Sequence, residues 1–366
     1  MPKYIYQQEE WPNFAWSNDI IAAPLAAVRH RQGLLLGKME SLGLSQRNEA
    51  ILQTHTLDVL KSSEIEGEML DAQQVRSSVA RKLGLDIAGL VTSDRQVDGV
   101  VEMSLDASQN FREPLTTERL FRWHTLLFPR GVEKLKIAIW RDDAMGPMQV
   151  VSGGIGHERI HYEAPAAHLI PSEISAFLDR ANGPDDTDPV IRAAIMHLHF
   201  VTIHPFDDGN GRIARAIADL GLARSENTGC RFYSMSAQIR KERKSYYDIL
   251  ERSQKGTLDI TEWLRWFIAC LDRALAGAEQ ALATVFSKEH FWKTYAAISI
   301  NERQRSMLNK MLDGFNGKLT STKWAILAKC SQDTAQRDIL DLIEKGIMTK
   351  EAGGGRSTSY SLTELK

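Results

Sequence analysis

The segment HPFDDGNGRIAR, at residues 204–215, concentrates residue types that can bind a polyphosphate. Gly209 and Gly211 can take backbone angles closed to other residues, so consecutive N–H groups can point at one anion. The segment also leads into a predicted helix, whose N-terminus favours negative charge. The pattern therefore predicts a phosphate site.

The side chains around these glycines extend that chemistry. Asp208 offers a hard oxygen ligand for Mg²⁺. Arg212 and Arg215 lie three apart on one helical face and can bind the distal phosphates. His204, neutral near about pH 7, can accept the proton of an incoming hydroxyl. For any single residue a plain helix–helix turn or a capping histidine is the more frequent explanation, but all these types within twelve positions favour phosphate chemistry.

The segment matches the signature of the Fic family, H-x-F-x-[D/E]-G-N-G-R-x-x-R, at every specified position. This resemblance implies an all-α core with a β-hairpin flap, the cofactors ATP and Mg²⁺, and transfer of AMP to serine, threonine or tyrosine hydroxyls of proteins, the chain itself included. It further implies that His204 is the base, Asp208 the metal ligand and Phe206 an anchor of the loop. The implied phosphate ligands are Gly209, Asn210, Gly211, Arg212 and Arg215.

The resemblance continues along the chain. Tyr246, Tyr247 and Gln254 fall where Fic proteins line the adenine pocket, although aromatic residues at helical spacing are also typical of a core. The segment 148–152 resembles the flap that binds the target protein. Strand addition by an extended peptide is the physical basis of that contact, and the docking residues implied are Val150, Val151 and Ser152.

An upstream segment, Ser62-Ser63-Glu64-Ile65-Glu66-Gly67, matches the Fic inhibitory motif [S/T]-x-x-x-E-[G/N]. Ser62 and Glu66 are four apart, on one side of a helix. A carboxylate delivered to Arg215 would put negative charge where the γ-phosphate must lie, so the pattern predicts autoinhibition. A solvated acidic helix end is the alternative for so short a motif. The N-terminal residues resemble the extension of SoFic-type adenylyltransferases.

The elements that must position these residues are predicted to be helices. From Ser45, the expected N-cap, a helix carries the inhibitory motif. The run TTERLFRWHTLLFP should end at Pro129, and TDPVIRAAIMHLHFVTI should begin at Thr187 or Asp188. Between residues 140 and 171, glycines separate the short runs MQVVS and RIHYEA, which predicts a small β-hairpin.

The C-terminal segment predicts a small separate domain. Two helices, KWAILAKC and DTAQRDILDLIEKG, precede two short strands around the turn AGGGRS, an order typical of a winged helix. The chain is thus predicted to be mainly α, with an N-terminal helical region and its inhibitory helix at 1–95, a catalytic core at 96–288 and a winged-helix domain at 289–366.

Other interpretations stay open. The C-terminal domain could make the chain a DNA-binding regulator with a vestigial or regulatory Fic core. Its recognition helix carries acids that would repel phosphates, and Arg356 in the predicted turn is the best remaining phosphate contact; protein docking or dimerisation is as good a role. The acids are Asp333, Asp338, Asp341 and Glu344, against Arg337 and Lys345.

Two further enzyme classes compete with AMP transfer. The first is metal-dependent hydrolysis at a zinc site built on His197, His199 and His204. His197 and His204 could share a helical face, but His199 points elsewhere and no nearby acid completes the site. Kinase-type transfer occurs in Doc-like relatives with lysine in place of the second loop glycine, and Gly211 is intact here. The sequence leaves open the target and acceptor residue, homodimerisation and removal of AMP with Glu66 positioning a water.

Composition limits the remaining classes. A net charge of −2 argues against a protein that coats nucleic acid. The first residues lack the pattern of a signal peptide, and the sequence contains no apolar run of membrane-spanning length. Cys230, Cys270 and Cys330 follow no metal-binding spacing, which is typical of a reducing cytoplasm. We therefore expect a cytoplasmic protein that acts on other proteins.

Overall fold

The computed structural model describes residues 2–87, 89–132, 135–144, 146–152, 159–312, 318–351 and 358–363, with side chains omitted at 283–287 and 289. It divides into two compact units, residues 1–278 and 279–366. The predicted domain borders at 95/96 and 288/289 stay predictions.

The first unit is mainly helical, as predicted, with one short hairpin. Two 3-10 turns lie at Ile5–Gln7 and Ala167–Leu169. Its elements, in order, are α1 (Asn18–Glu40), α2 (Leu44–Ile65), α3 (Ala72–Lys82), α4 (Arg95–Gln109), α5 (Thr117–Leu127), β1 (Gln149–Ser152), β2 (Arg159–Glu163), α6 (Ile170–Asn182), α7 (Pro189–Ile203), α8 (Asn210–Glu226), α9 (Met235–Lys241), α10 (Arg243–Gln254) and most of α11 (Thr261–Thr294).

Helices α7 and α8 form the centre of this unit, and almost every residue of both is buried. Their backbones approach closely at Gly221, where an added Cβ would lie 2.6 Å from the Cβ of Ala193. A larger residue at this position would push the two helices apart. The pair therefore gives a rigid base to the loop that joins α7 to α8, which is the segment 204–209.

Local signals explain where several helices begin. The Asp188 side chain accepts a hydrogen bond from the Val190 N–H at the start of α7, as expected of a helix N-cap. The prediction of Ser45 as the N-cap of α2 is wrong: the N-cap lies two residues earlier, and the helix begins at Leu44. Gly43 occupies the cap position with an extended backbone, and its carbonyl accepts from the Arg47 N–H at 3.0 Å.

The predicted hairpin is present as two antiparallel strands. Val150 lies opposite Tyr162 and Val151 opposite Ile160, so the register shifts by one residue between the two pairs. The residues between the strands, 153–158, include the predicted turn glycines Gly153, Gly154 and Gly156 and lie outside the described residues.

The second unit contains the end of α11, three further helices and two short antiparallel strands. These elements are α12 (Glu302–Leu312), α13 (Ser321–Leu327), α14 (Gln332–Glu344), β3 (Met348–Lys350) and β4 (Tyr360–Leu362). Its core includes Trp324, Ile339 and Leu342. The winged-helix assignment stays a prediction, and the turn AGGGRS with Arg356 lies outside the described residues.

One acid counted against DNA binding is neutralised inside this unit. Asp338 is buried, and its carboxylate accepts from Arg303 Nε at 2.6 Å and Nη2 at 2.9 Å. It therefore does not act as an exposed repulsive charge, and the recognition-helix argument rests on the other acids. Over the described residues, no helix combines the length and apolar character that a bilayer crossing requires.

Candidate active site

The loop between α7 and α8 begins and ends on left-handed residues. His204 has φ 52° and ψ 58°, and Gly209 has φ 81°. This conformation is unfavourable for most residues but not for glycine. A side chain at Gly209 would in addition place a Cβ 3.1 Å from Leu127 Cδ1. The glycine thus allows the chain to turn directly into the first residues of α8.

Asn210 closes this loop from within. Its Oδ1 accepts from the Phe206 N–H at 3.0 Å, and its Nδ2 donates to the Phe206 carbonyl at 2.8 Å. The side chain is buried, so both ends of its amide are used in shaping the loop. A phosphate contact by Asn210 would have to come from its backbone N–H.

The ring of Phe206 is fully buried and stacks on His124, with 4.2 Å between ring centroids and 8° between planes. His124 accepts from the Ala138 N–H at its Nδ1, so its Nε2–H donates to the Asp208 carbonyl at 3.2 Å. Burial lowers the pKa of His124, which favours this neutral form. His124 thus supports the loop, a role that sequence reasoning missed because the residue stands within an ordinary helical pattern.

The His204 ring is held in a defined tautomer. Its Nδ1 lies 3.2 Å from the Val201 carbonyl, which can only accept, so Nδ1 carries the hydrogen. Burial, helped by the Arg141 charge, lowers the pKa of His204 to about 4, against the Val201 hydrogen bond. Nε2 therefore keeps a free lone pair at neutral pH, as a general base requires.

Arg141 is a second supporting residue that sequence reasoning missed. Its side chain is buried, and its Nε donates to the His204 carbonyl at 2.8 Å. Its Nη2 donates to the Pro165 carbonyl at 2.5 Å, beyond the end of β2. Arg141 therefore connects the hairpin region to the loop. Nothing in its local sequence distinguishes it from a surface arginine.

All three guanidinium nitrogens of Arg215 contact residues at the C-terminal end of α2. Its Nη1 lies 2.8 Å from Glu66 Oε1, its Nε donates to Ser62 Oγ at 3.0 Å, and its Nη2 donates to the Ser62 carbonyl at 2.9 Å. Arg215 is buried, whereas the Glu66 side chain keeps 32% of its surface exposed. Partial burial would raise the pKa of Glu66, but the Arg215 guanidinium outweighs it and the net pKa is lowered, so the pair is ionic.

The Glu66 carboxylate also covers the first turn of α8. A Cβ added at Gly211 would overlap Glu66 Oε1. The predicted phosphate glycine and the predicted inhibitory glutamate are therefore in direct contact. An anion placed over the start of α8 would meet this carboxylate.

Arg212 is held by a residue that the inhibitory motif does not contain. Its Nη1 lies 2.5 Å from Glu68 Oε2, and its guanidinium stacks over the Phe128 ring at 5.2 Å. Gln96 also donates to Glu68. Gly67, with φ 88°, turns the chain after α2, which brings Glu68 back toward α8. Both Arg212 and Arg215 are thus bound by residues at or just after the end of α2.

The three predicted adenine residues are placed differently. The Tyr247 hydroxyl lies 3.3 Å from Glu66 Oε2, at the site. Tyr246 is buried and its hydroxyl bonds His197 Nε2 at 2.9 Å. Gln254 is buried with its amide 3.4 Å from the Val201 carbonyl, the same carbonyl that binds His204. Tyr246 and Gln254 therefore lie in the core behind the site.

Asp208 has the accessibility that a magnesium ligand needs. Its side chain is exposed, and Oδ1 accepts from the Gly209 N–H at 2.5 Å. Mg²⁺ typically takes one or two carboxylates, phosphate oxygens and water rather than an all-protein cage, so a lone fixed carboxylate beside a phosphate nest fits it. Within the described ranges no three His, Cys, Asp or Glu side chains could enclose a metal, so the alternative of a zinc site finds no ligand set there.

The hairpin lies beside the site through one buried anchor. The Tyr162 hydroxyl on β2 donates to the Thr202 carbonyl at 2.7 Å, two residues before His204. On β1, Val151 is 50% exposed, and Ser152 is exposed with its Oγ on His161. The predicted docking residues are therefore at the surface or near it.

The family comparisons agree with the segment that carries the site. The Fic/DOC family model matches residues 114–222, and a domain of unknown function, DUF4172, matches residues 4–85. The first range contains α5, the hairpin and the loop at 204–209. The second contains the inhibitory motif.

Curated relatives are named protein adenylyltransferases. One from Culex quinquefasciatus is 26% identical over 255 residues, covering 63% of this chain and 46% of the relative. One from Nematostella vectensis is 30% identical over 128 residues, covering 34% of this chain and 28% of the relative. The chain thus spans less than half the length of these relatives.

Solved structures show a similar fold. A Fic family protein from Desulfovibrio desulfuricans G20 has a TM-score of 0.57 at 20% identity, covering 97% of this chain and 99% of that one. A Fic domain containing signaling protein from Bacteroides thetaiotaomicron has a TM-score of 0.50 at 22% identity, covering 69% of this chain and 96% of that one. At these identities the likeness concerns the fold alone.

Proposed function

We propose that this chain, which belongs to the Fic/DOC family, transfers AMP from ATP to serine, threonine or tyrosine hydroxyls of proteins, and that Glu66 inhibits the transfer. The names of its relatives and the geometry around His204 support the reaction class. The contacts of Glu66 with Arg215 and Gly211 support the inhibition.

The chemistry needs only groups that the chain and its substrates supply. The acceptor oxygen attacks the α-phosphorus of ATP, and an oxygen–phosphorus bond forms while the bond from the α-phosphorus to the bridging oxygen breaks. Pyrophosphate leaves, and the acceptor proton passes to Nε2 of His204, whose Nδ1 hydrogen bond orients the ring. The α8 N-terminus and its backbone N–H groups stabilise the phosphate charge.

Magnesium would be bound through Asp208, whose exposed carboxylate is fixed by the Gly209 N–H. When bound, the ion supplies charge that neutralises the triphosphate and the departing pyrophosphate. Arg212 and Arg215 would bind the β- and γ-phosphates once they are released from α2. Tyr247 would line the adenine pocket, and Tyr246 and Gln254 would support its floor from the core.

The target would dock on the hairpin. An extended segment can add to the edge of β1 near Val150 and Val151, with backbone hydrogen bonds giving affinity. Such docking would bring a hydroxyl of the target beside His204, because the neighbouring strand is anchored at Thr202. The C-terminal unit, if it is a winged helix, would serve as a further docking or dimerising domain.

The observation that carries the inhibition is the position of the Glu66 carboxylate. It lies 2.8 Å from Arg215 Nη1 and against the α-carbon of Gly211. A γ-phosphate would need both the guanidinium and the adjoining space, so ATP and Glu66 compete. Removing the carboxylate frees both the Arg215 guanidinium and the space over Gly211.

The experiment compares AMP incorporation from α-labelled ATP with Mg²⁺ in the wild type and Glu66→Gly. Glu66→Gly should raise incorporation at least about tenfold, which corresponds to roughly 1.4 kcal/mol, the size of one lost charge-assisted pair. Glu64→Gly is the matched control: Glu64 lies on the same helix end but bonds Arg240 at 3.0 Å and Lys61 at 2.5 Å. It should leave incorporation unchanged.

Two results would contradict the proposal in different ways. Equal or lower incorporation in a folded Glu66→Gly protein would contradict the inhibition by Glu66 but not the proposed transfer of AMP. Intact masses that increase by phosphate rather than AMP would contradict the reaction itself.

A further inference from the structure

Three side chains of the hairpin and α10 form a continuous hydrogen-bond chain. Ser152 Oγ lies 2.5 Å from His161 Nε2, and His161 Nδ1 lies 2.6 Å from Glu251 Oε2. A carboxylate only accepts, so in the neutral ring Nδ1 donates to Glu251 and Nε2 accepts from the Ser152 hydroxyl. Hydroxyl, imidazole and carboxylate in this order activate serine nucleophiles.

The backbone of the hairpin directs the His161 ring. Because Val150 pairs with Tyr162 and Val151 with Ile160, His161 is the extra residue of a β-bulge. Bulges often redirect a side chain beside a functional site. The next residue, Tyr162, is fully buried and fixed on the Thr202 carbonyl. His161 is therefore presented by a rigid neighbour rather than by a free loop.

The carboxylate at the other end is fixed as an anion. Glu251 accepts from Lys255 Nζ at 2.7 Å and from Arg159 Nη2 at 3.0 Å, and its side chain is 16% exposed. Desolvation would raise its pKa, but the hydrogen bonds from Lys255, His161 and Arg159 lower the pKa of Glu251 to about 2. The carboxylate thus keeps the Nδ1 hydrogen of His161 toward itself.

The hydrogen-bonded residues Ser152, His161 and Glu251 belong to elements that adjoin the proposed transfer site. Glu251 follows Tyr247 by four residues on α10, so both lie on one helical face, and the Tyr247 hydroxyl contacts Glu66. On the other side, the anchor of β2 at Thr202 is two residues from His204. Ser152 is exposed, so its hydroxyl is accessible from solvent.

We propose that Ser152 is an acceptor of AMP in self-modification, with His161 as its base and Glu251 as a positioning residue; this rests on the proposed AMP transfer. Ser152 Oγ attacks the α-phosphorus of ATP, the new oxygen–phosphorus bond forms as the bond to the bridging oxygen breaks, and pyrophosphate leaves. The hydroxyl proton passes to His161 Nε2. No further reactant is required.

Modification would also change the hairpin. An AMP group on Ser152 Oγ removes the hydrogen that bonds His161 and adds a negative charge beside Glu251. The contact between the hairpin and α10 would then weaken at the edge where we expect targets to dock. Self-modification at this serine would therefore alter target binding.

The test uses the full chain carrying Glu66→Gly, incubated with Mg²⁺ and α-labelled ATP and mapped by peptide mass. The peptide containing Ser152 should carry AMP. Adding His161→Gln should lower the rate at Ser152 about ten- to a hundredfold, as for loss of a general base, with labelling of other residues unchanged. Adding Glu251→Gln should lower it less.

A second readout needs no ATP. A fluorophosphonate should react with Ser152 in the wild type and more slowly in His161→Gln, which a purely structural serine would not show. Ser172, exposed on α6 with its hydroxyl donating to the Leu169 carbonyl, provides a matched serine without a histidine and should stay unreactive in both proteins. Melting temperatures confirm that each variant is folded.

The outcomes separate the two proposals. AMP on other residues or on an added protein, with none on Ser152, overturns this site and leaves the transferase intact. Absence of AMP from every residue and from the added protein would contradict both the proposed transferase activity and the proposed modification of Ser152. Equal Ser152 labelling with and without His161 overturns the activation of the hydroxyl.

Discussion

Glu68 Oε2 lies 2.5 Å from Arg212 Nη1, one turn of α8 before the ion pair between Glu66 and Arg215. The residues that follow α2 therefore bind both Arg212 and Arg215, and not only Arg215, which the predicted inhibitory motif addresses. Arg212 and Arg215 are each buried, so neither can reach another anion while α2 stays in place.

Glu68→Gln should raise AMP incorporation about two- to tenfold. The amide keeps the size of the side chain and its oxygen can still accept from Arg212, so only the charge contribution is lost, which is roughly 1 kcal/mol. The rise should be smaller than that of Glu66→Gly, because Glu68 does not cover Gly211. The measurement is labelled-AMP incorporation by the single and double variants at matched concentration.

Glu49→Gln is the control for this prediction. Glu49 lies near the start of α2 and binds Arg76 at 3.0 Å, away from α8, so incorporation should not change. A folded Glu68→Gln protein with reduced incorporation would show that Glu68 assists ATP binding instead of opposing it.

His204→Ala should lower AMP transfer about 10²- to 10⁴-fold, the usual loss for a general base, while ATP still binds. The variant is compared in a Glu66→Gly, Ser152→Ala background, so that the hydroxyl beside His161 does not contribute. ATP affinity is measured separately by calorimetry. Transfer near the parent rate would exclude His204 as the base.

If His204 is the base, the same residue should set the pH dependence of transfer. Burial holds the pKa of His204 at about 4, below the roughly 6.5 of a free imidazole. The neutral form needed for proton acceptance therefore persists down to that value. The acidic limb of kcat/KM should fall near about pH 4 rather than near about 6.5; a limb at the higher value would contradict the lowered pKa of His204.

Arg215→Ala should leave transfer low even when combined with Glu66→Gly. In the proposed mechanism Arg215 binds the γ-phosphate as well as Glu66, so removing Glu66 should not restore activity when the arginine is absent. Arg240→Ala, which removes the partner of Glu64 on the same helix end, serves as the control. A fully active Arg215→Ala, Glu66→Gly double variant would mean that Arg215 only tethers α2.

The parts of the site that can be predicted from the sequence are those whose residues lie close together in it. Ser62 and Glu66 are one helical turn apart and both contact Arg215, and the loop glycines stand within a contiguous segment, so local spacing is enough to bring these residues together. The contact of Glu68 with Arg212 could not be predicted in this way, because the helical spacing ends with α2 and Gly67, at φ 88°, turns the chain in a new direction. No periodicity describes the residue after such a turn.

Other residues could not be predicted because their partners are far away in sequence. Arg141 reaches the His204 carbonyl across 63 residues, and His124 reaches the Asp208 carbonyl across 84. The resemblance to Fic proteins predicts Tyr246 at the adenine pocket, but it does not indicate that the hydroxyl bonds the buried His197. Helical spacing gives the face of a residue but not which neighbour packs on it.

The final prediction concerns His199, which the zinc hypothesis had included. Its ring is fully buried, and among the described residues neither ring nitrogen has a hydrogen-bond partner. Trp11, Phe14 and Phe177 surround it edge-on, at centroid distances of 5.0, 5.8 and 5.3 Å. This desolvation lowers the pKa of His199 to about 3, so the folded protein binds a proton here far less readily than the unfolded chain, whose pKa is about 6.5.

The contribution of His199 to stability is complete above about pH 6.5 and is lost as the pH falls toward the folded pKa. Between about pH 7 and pH 5 the loss of unfolding free energy amounts to roughly 2 kcal/mol. His199→Leu, similar in size and apolar, should flatten this part of the curve of unfolding free energy against pH, measured by denaturant titration. His30→Leu, at an exposed position of α1, should keep the wild-type slope. An unchanged slope in His199→Leu would show that the folded state accepts the proton at His199 after all.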